Sequence, residues 1–213
     1  MPIDLSALVV PAHTVLITQE CQQGIIGSHC LLPAVAEAAG KQMTPNIARL
    51  AAAARGAGVR VIHCLALQRH DGYGRNTNAK LFQATKKSGF RMLPGSEAAQ
   101  VVPEIGTAES DVVVTRLHGL SPFQGTELDA ILRNAGVRTL VVTGVSVNVA
   151  IMNLTFDAVN AAYQVVIPRD AVAGFPAEYV EAVFKNTLGA VATLTTTSEL
   201  LAVWEALKPV KTD

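Results

Sequence analysis

Short runs of apolar and β-branched residues recur along the chain and alternate with alanine-rich stretches of helical character. These runs predict six strands, at residues 14–18, 59–65, 111–115, 138–143, 163–167 and, more polar than the rest, 192–196. Most of them are almost continuously apolar, which is typical of strands that are covered on both faces, as in parallel sheets. The pattern therefore favours a buried parallel sheet.

Capping residues and glycines indicate where helices begin and end between these strands. Thr44 as N-cap, with Pro45 at the first helical position, predicts a helix to residue 55. The other predicted helices cover residues 128–134, 147–162, 176–188 and, with Ser198 as cap, 198–207. Alternation of strand and helix predicts right-handed crossovers in a three-layer α/β fold around an open, six-stranded, mainly parallel sheet. We find no repeat and no linker, and expect a single domain over residues 1–213.

Residues 67–105, which we call the covering segment, do not follow this alternation. The covering segment lacks a clear hydrophobic period and contains several glycines and prolines among basic residues. Because a long irregular stretch in a compact domain usually covers a site or an interface, we expect this segment to do the same.

Composition narrows the possible partners. The 17 Lys+Arg balance the 17 Asp+Glu, half of the residues are hydrophobic and 16% are charged. Zero net charge provides no electrostatic footprint for nucleic acid or for an anionic membrane. The N-terminal residues lack a signal-peptide pattern and no apolar run is long enough to cross a bilayer, so we expect a cytoplasmic protein. The low charge also favours a homo-oligomer that buries apolar surface between subunits.

The sequence shows no metal or cofactor motif. Cys21, Cys30 and Cys64 form no C-x-x-C pair, and each is interpreted as a reduced, small hydrophobic residue. His63 lies within a predicted strand and His70 stands alone, without a carboxylate–histidine cluster at ligand spacing. No glycine-rich nucleotide-binding loop is present either. We therefore expect neither a metal nor a cofactor.

Three strand ends carry the candidate chemistry, because ligands of open α/β sheets bind beyond the carboxyl ends of the strands. Glu20 follows the first strand and Arg116 ends the third, so that the two opposite charges could meet across the edge of the sheet. Taken alone, each is also compatible with a solvated surface charge. The third end, Gly144-x-Ser146, is similar to a nucleophile elbow, but Asn148 stands where that motif has its second glycine and no histidine follows Ser146. A Ser-His-Asp triad is therefore disfavoured.

Together these segments resemble the isochorismatase-like hydrolase family, which includes nicotinamidases and other cysteine amidohydrolases. Residues 15–22 resemble the family's first strand, which ends in Asp-x-Gln, and residues 143–150 resemble the segment that ends in its nucleophilic cysteine. Residues 115–128 resemble its lysine-containing segment followed by Ser-x-Phe-x-Gly-Thr-x-Leu. Asp157-Ala158 and Asp170-Ala171 resemble two later landmarks, and the match extends from about residue 14 to residue 201.

The resemblance places the catalytic triad at positions where this chain differs from the family. Where the family has Asp, Lys and Cys, this chain has Glu20, Arg116 and Ala150. A methyl group cannot attack a carbonyl carbon, so the route through a covalent acyl-enzyme is closed. Arginine does not lose its proton in proteins, so it cannot share protons as the family's lysine does.

The resemblance also implies other features of the site. It implies a cis peptide bond between Val145 and Ser146, and an oxyanion hole formed by the amides of Ser146 and Ala150. It further implies a small ligand, a carboxylate or an amide, and assembly into dimers or tetramers. Substrate contacts are expected from Gln22, His118 and Phe123.

Two functions are compatible with these residues. In the first, the protein is a cysteine-independent hydrolase of a small carboxylate-bearing substrate. Glu20 would be the acid and Arg116 the anchor, similar to family members that hydrolyse the vinyl ether of isochorismate without the cysteine. In the second, the protein is a catalytically silent homologue that binds a small ligand or serves in assembly, and Glu20 and Arg116 form a buried ion pair.

Overall fold

The computed structural model describes residues 4–28 and 30–207. It contains a parallel sheet whose strands are β1 (Thr14–Gln19), β2 (Arg60–Ala66), β3 (Val112–Arg116), β4 (Thr139–Val145), β5 (Gln164–Pro168), β6 (Val172–Ala173) and β7 (Thr193–Thr195). The strand order is β3-β2-β1-β4-β5-β7, and β6 pairs with β4. The predicted α/β fold is confirmed, with the two-residue β6 as an addition to the six predicted strands.

Both faces of the sheet are buried, which explains the continuous apolar runs. Successive side chains of a strand point to opposite faces. Accordingly, Leu16 of β1 joins one hydrophobic cluster, which includes Leu50 and Trp204. Its neighbour Ile17 joins the other cluster, which includes Leu154.

The helices cover these two faces. They are α1 (Leu5–Leu8), α2 (Gln23–Ile26), α3 (Pro33–Ala38), α4 (Thr44–Ala57), α5 (Lys80–Ser88), α6 (Leu128–Asn134), α7 (Met152–Asn160), α8 (Ala177–Val183), α9 (Gly189–Val191) and α10 (Thr197–Ala206). Three π-helical turns join some of them, at Ala39–Met43, Val147–Ile151 and Phe184–Leu188. None of the helices in the described part of the chain is long and apolar enough to cross a membrane.

Two predicted helix starts are wrong. Thr44 is not an N-cap but the first residue of α4, and its backbone N–H and its hydroxyl both donate to the carbonyl of Ala39 in the preceding π turn. α3, this turn and α4 therefore follow one another without a break. The last helix is capped by Thr196 instead of Ser198, since Thr196 and Glu199 form a reciprocal capping box.

Two other predicted helices begin or end differently. The helix predicted over residues 147–162 starts as the π turn Val147–Ile151 and ends at Asn160. The helix predicted over residues 176–188 is α8, which starts at Ala177, continued by a π turn to Leu188. A single turn is too short for hydrophobic periodicity to distinguish a π turn from an α turn, so both differences concern local winding only.

The covering segment is not irregular throughout. It contains α5 and a 3-10 turn at Glu97–Ala99. None of the residues of α5 is buried, and only Leu81, Phe82 and Ala84 among its nine residues are apolar, so the sequence did not reveal it. The segment is fastened to the carboxyl edge of the sheet, where the Gly119 N–H donates to Asn76 Oδ1 at 2.8 Å.

Candidate active site

Glu20 and Arg116 meet at the carboxyl edge of the sheet. Glu20 directly follows β1 and adopts a left-handed conformation, with φ at 53°. Its backbone N–H donates to Cys64 of the neighbouring β2 at 2.9 Å. Arg116 is the last residue of β3, and its Nη2 donates to Glu20 Oε1. The same oxygen accepts a hydrogen bond from Gln19 Nε2 at 2.9 Å, so two donors hold this carboxylate.

The ion pair is largely shielded from water. The side chains of Arg116 and Glu20 are 6% and 15% exposed, respectively. Arg116 Nε also donates to the Gly119 carbonyl at 3.4 Å. Its Nη1, in contrast, is buried and has no hydrogen-bond partner among the described residues. Buried polar groups in proteins nearly always have a hydrogen-bond partner, so this charged donor is an exception.

Ala150 lies where the chain turns from β4 into a helix. The Val145–Ser146 peptide bond is cis, and the π turn Val147–Ile151 follows directly. The Ser146 carbonyl accepts from the N–H groups of Val149 and Ile151, at 3.1 and 3.0 Å. Ala150, between these two donors, is 3% exposed. Amides in the first turn of a helix generally lack a partner in the helix and favour an anion.

The glycine at position 144 is required by strand packing and not by a nucleophile elbow. Its φ is 107°, and a Cβ at this position would lie 2.2 Å from the Gln19 carbonyl oxygen of β1. Only glycine permits the two strands to approach so closely. Four residues further on, the Asn148 side chain has a buried Oδ1 with no partner within the described ranges.

A cavity of about 290 Å³, which we call the sheet-edge cavity, opens beside these residues. Its polar lining includes Glu20, Arg116, Ser146 and His118, and Ala150 also lines it. Much of its wall is apolar and comes from the covering segment: Leu67, Leu81, Phe82, Phe90 and Met92. The structure therefore brings all three triad positions to one cavity.

Gln22 and Phe123 do not line the sheet-edge cavity. The Gln22 amide is fully buried and is used by the backbone. Its Oε1 accepts from the Ala66 N–H at 2.8 Å, and its Nε2 donates to the carbonyls of Ala66 and Ala99 at 3.0 and 3.1 Å. Phe123 packs against the Tyr163 ring, with centroids 6.0 Å apart. Of the three residues expected to contact substrate, only His118 lies at the cavity.

The three cysteines are free, and none lines the sheet-edge cavity. Burial raises the pKa of the Cys64 thiol to about 12 and also raises the pKa of Cys21. Because the thiolate is the nucleophilic form, neither buried thiol is suited to replace the missing one. No cluster of three or more potential metal ligands is found in residues 4–28 and 30–207.

Among the polar residues of the cavity wall that sequence reasoning missed are Gln68 and Arg75. Both belong to the covering segment, and only its length and irregularity indicated that it would lie over a site. Arg75 is half-buried and makes no hydrogen bond or ion pair with any residue that the structure describes. Gln68 Oε1 is buried without a partner in the same set of residues.

The fold and this cavity define an α/β protein with a candidate site at the carboxyl ends of its parallel strands. The family model of the isochorismatase domain matches residues 14–199. The chain therefore belongs to the isochorismatase family.

Individual relatives agree with this assignment. An uncharacterized isochorismatase family protein of Bacillus subtilis is 33% identical over 103 residues, which are 48% of this chain and 54% of that protein. An Arabidopsis thaliana protein named as a probable inactive nicotinamidase is 33% identical over 63% of this chain and 68% of its own. The crystal structure of a cysteine hydrolase from Pseudomonas syringae has a TM-score of 0.83 at 25% identity, covering 94% of this chain and 96% of its own.

Proposed function

We propose that this member of the isochorismatase family binds a small carboxylate or amide without hydrolysing it through a covalent intermediate. One observation carries the proposal: Glu20 Oε1 accepts from both Arg116 and Gln19, beside a methyl group at the nucleophile position, Ala150. The cavity is thus present at the expected edge of the sheet, but the sulfur that would attack the substrate is missing.

The ion pair also disfavours proton transfer. Arginine does not lose its proton in proteins, so Arg116 cannot exchange a proton with its neighbours. Glu20 Oε1 already accepts hydrogen bonds from both Arg116 and Gln19. The pair therefore lacks the proton-sharing base that the family's chemistry needs.

Binding needs less than catalysis. The amides of Ser146 and Ala150 and the unpartnered Nη1 of Arg116 are donors suited to a carboxylate or to the oxygen of an amide. The name of the Arabidopsis relative, a probable inactive nicotinamidase, supports a loss of turnover within this fold.

A second candidate, cysteine-independent hydrolysis, is favoured by one feature of Glu20. Its second oxygen, Oε2, makes no hydrogen bond to any of the described residues, so it is open to a ligand or to water. If a ligand carboxylate engaged Arg116, Glu20 would be freed to act as the acid in vinyl-ether hydrolysis. Glu20→Gln would abolish such turnover.

The proposal is tested by turnover assays on amides, esters and vinyl ethers. We expect none from the natural protein, and none from Ala150→Cys alone, because Arg116 cannot share protons. The triple variant Glu20→Asp, Arg116→Lys, Ala150→Cys restores the family's residues and is expected to release ammonia from small amides.

Ala161→Cys, at the end of α7 and outside the cavity lining, is the matched control for adding a thiol. Turnover by the natural protein, or amide hydrolysis by Ala150→Cys alone, would contradict the proposal. Loss of natural turnover in Glu20→Gln would establish the second candidate in its place.

We also propose a cytoplasmic homo-oligomer of two or four subunits. The thiols of Cys21, Cys30 and Cys64 are free, which suits a reducing compartment. Only 16% of the residues are charged, and several large apolar side chains are exposed on single subunits, among them Phe156 and Tyr179. Burial of such side chains between subunits is the usual use of an apolar surface.

A further inference from the structure

The charged groups of the sheet-edge cavity do not balance. With His118 counted as neutral, one acid, Glu20, and two bases, Arg75 and Arg116, line it. Glu20 is paired with Arg116, whereas Arg75 has no ion pair or hydrogen bond within residues 4–28 and 30–207. The cavity lining therefore has one positive charge in excess, together with the buried, unpartnered Nη1 of Arg116. The two guanidinium groups come from separate positions, the end of β3 and the covering segment.

The remainder of the wall is apolar. Phe82, Phe90 and Met92 line the cavity, and four apolar side chains at its lining are also unusually exposed: Leu32 at 41%, Leu81 at 40%, Leu117 at 41% and Phe175 at 56%. Large apolar side chains left open to water around a cavity are typical of a site that receives an apolar ligand.

We propose that the sheet-edge cavity binds an amphipathic monocarboxylate, with its carboxylate held by Arg75 and Arg116 and its apolar body against the covering segment. The inference rests on the proposed function, since it names the ligand of the same site. The volume of about 290 Å³ has room for about ten non-hydrogen atoms at the ~30 Å³ that each water takes in the liquid. Octanoate and phenylacetate are both of this size.

Charge selects the monocarboxylate among small ligands. A phosphate group carries nearly two negative charges and would leave one of them unpaired beside an apolar wall. A neutral amide would leave Arg75 without a counter-charge. A singly charged carboxylate balances the one excess cation and matches the donor geometry of a guanidinium.

Binding is measured by titration calorimetry with octanoate, phenylacetate, phenylacetamide and acetate at low salt. We expect both larger carboxylates to bind at least about tenfold more tightly than phenylacetamide, which lacks the charge, and than acetate, which lacks the apolar body. Arg75→Gln is expected to weaken phenylacetate binding at least about tenfold. Lys87→Gln removes the same charge from the exposed surface of α5, outside the cavity, and is expected to leave binding unchanged.

The outcomes separate this inference from the proposed function. Equal binding of phenylacetate and phenylacetamide, no binding of either large carboxylate, or equal effects of Arg75→Gln and Lys87→Gln would each overturn the ligand class. None of those results bears on turnover. Release of ammonia from phenylacetamide by the natural protein would instead overturn the proposed function.

Discussion

Arg116 Nη2 donates a hydrogen bond to Glu20, and the other terminal nitrogen, Nη1, is buried without a partner among the described residues. The two side chains come from the ends of β3 and β1, strands that are separated in the sheet by β2. The pair is therefore fixed by the sheet itself, and both residues line the sheet-edge cavity. Such a pair neutralises its own charge and still offers a donor to a third group.

Removing one partner of this pair should destabilise the protein. Arg116→Met leaves the Glu20 carboxylate, which is 15% exposed, without its counter-charge. We expect the free energy of unfolding to fall by about 3 kcal/mol, the lower end for a broken buried pair. Urea denaturation measures this change.

Two further variants control for the ion pair. The double variant Glu20→Gln, Arg116→Met should recover part of the loss, because it removes the unpaired charge. Arg69→Met breaks an exposed pair with Asp71 and should have little effect. Equal losses in the single and the double variant would show that the unpaired Glu20 charge is not the source of the loss.

His63 should make stability depend on pH. It is fully buried, with Nδ1 2.7 Å from Thr18 Oγ1 and Nε2 3.1 Å from Asp111 Oδ2. Burial lowers the pKa of His63 below its usual 6.5, in spite of the opposing effect of Asp111. Below pH 6.5 the unfolded chain therefore binds a proton that the folded chain does not, and stability falls with decreasing pH until the folded pKa is reached.

Denaturation at several pH values between 7 and 5 measures this slope, which is at most about 1.4 kcal/mol per pH unit for one proton. His63→Gln should flatten the slope, whatever its effect on absolute stability. His118→Gln, at an exposed histidine, is the control and should leave the slope as it is. An unchanged slope in His63→Gln would exclude His63 as its source.

The protein should be a dimer or a tetramer in solution. Its low charge and the exposed Phe156 of α7 favour burial between subunits. Light scattering at micromolar concentration gives the mass directly. A mass of a single 22.4 kDa chain would contradict the prediction.

The sequence predicted the fold well because the sheet is buried on both faces. Each strand then appears as an apolar run, and the carboxyl ends of those runs indicated Glu20, Arg116 and residues 144–146 at one edge, while Ala150 was assigned from the resemblance. α5 could not be found in this way, since it is short, mostly polar and has no buried residue. Arg75 was missed for a different reason: only the folded covering segment brings it to the cavity.

Gln22 shows the opposite limit of sequence reasoning. The resemblance suggested a contact with substrate, but the amide is used by the backbone groups of Ala66 and Ala99. Whether a buried polar side chain serves the ligand or the fold depends on distant segments of the chain. Sequence spacing does not contain that information.

α5 contributes Leu81 and Phe82 to the cavity but no buried residue to the core. Different parts of the molecule thus determine its ligand preference and its stability. Substitutions along α5 can change the shape and polarity of the cavity with little effect on stability, because α5 has no buried residue. The part of the cavity formed by the strand ends would stay unchanged. The same scaffold can therefore be redirected, by evolution or by protein engineers, toward a new ligand through a single surface helix.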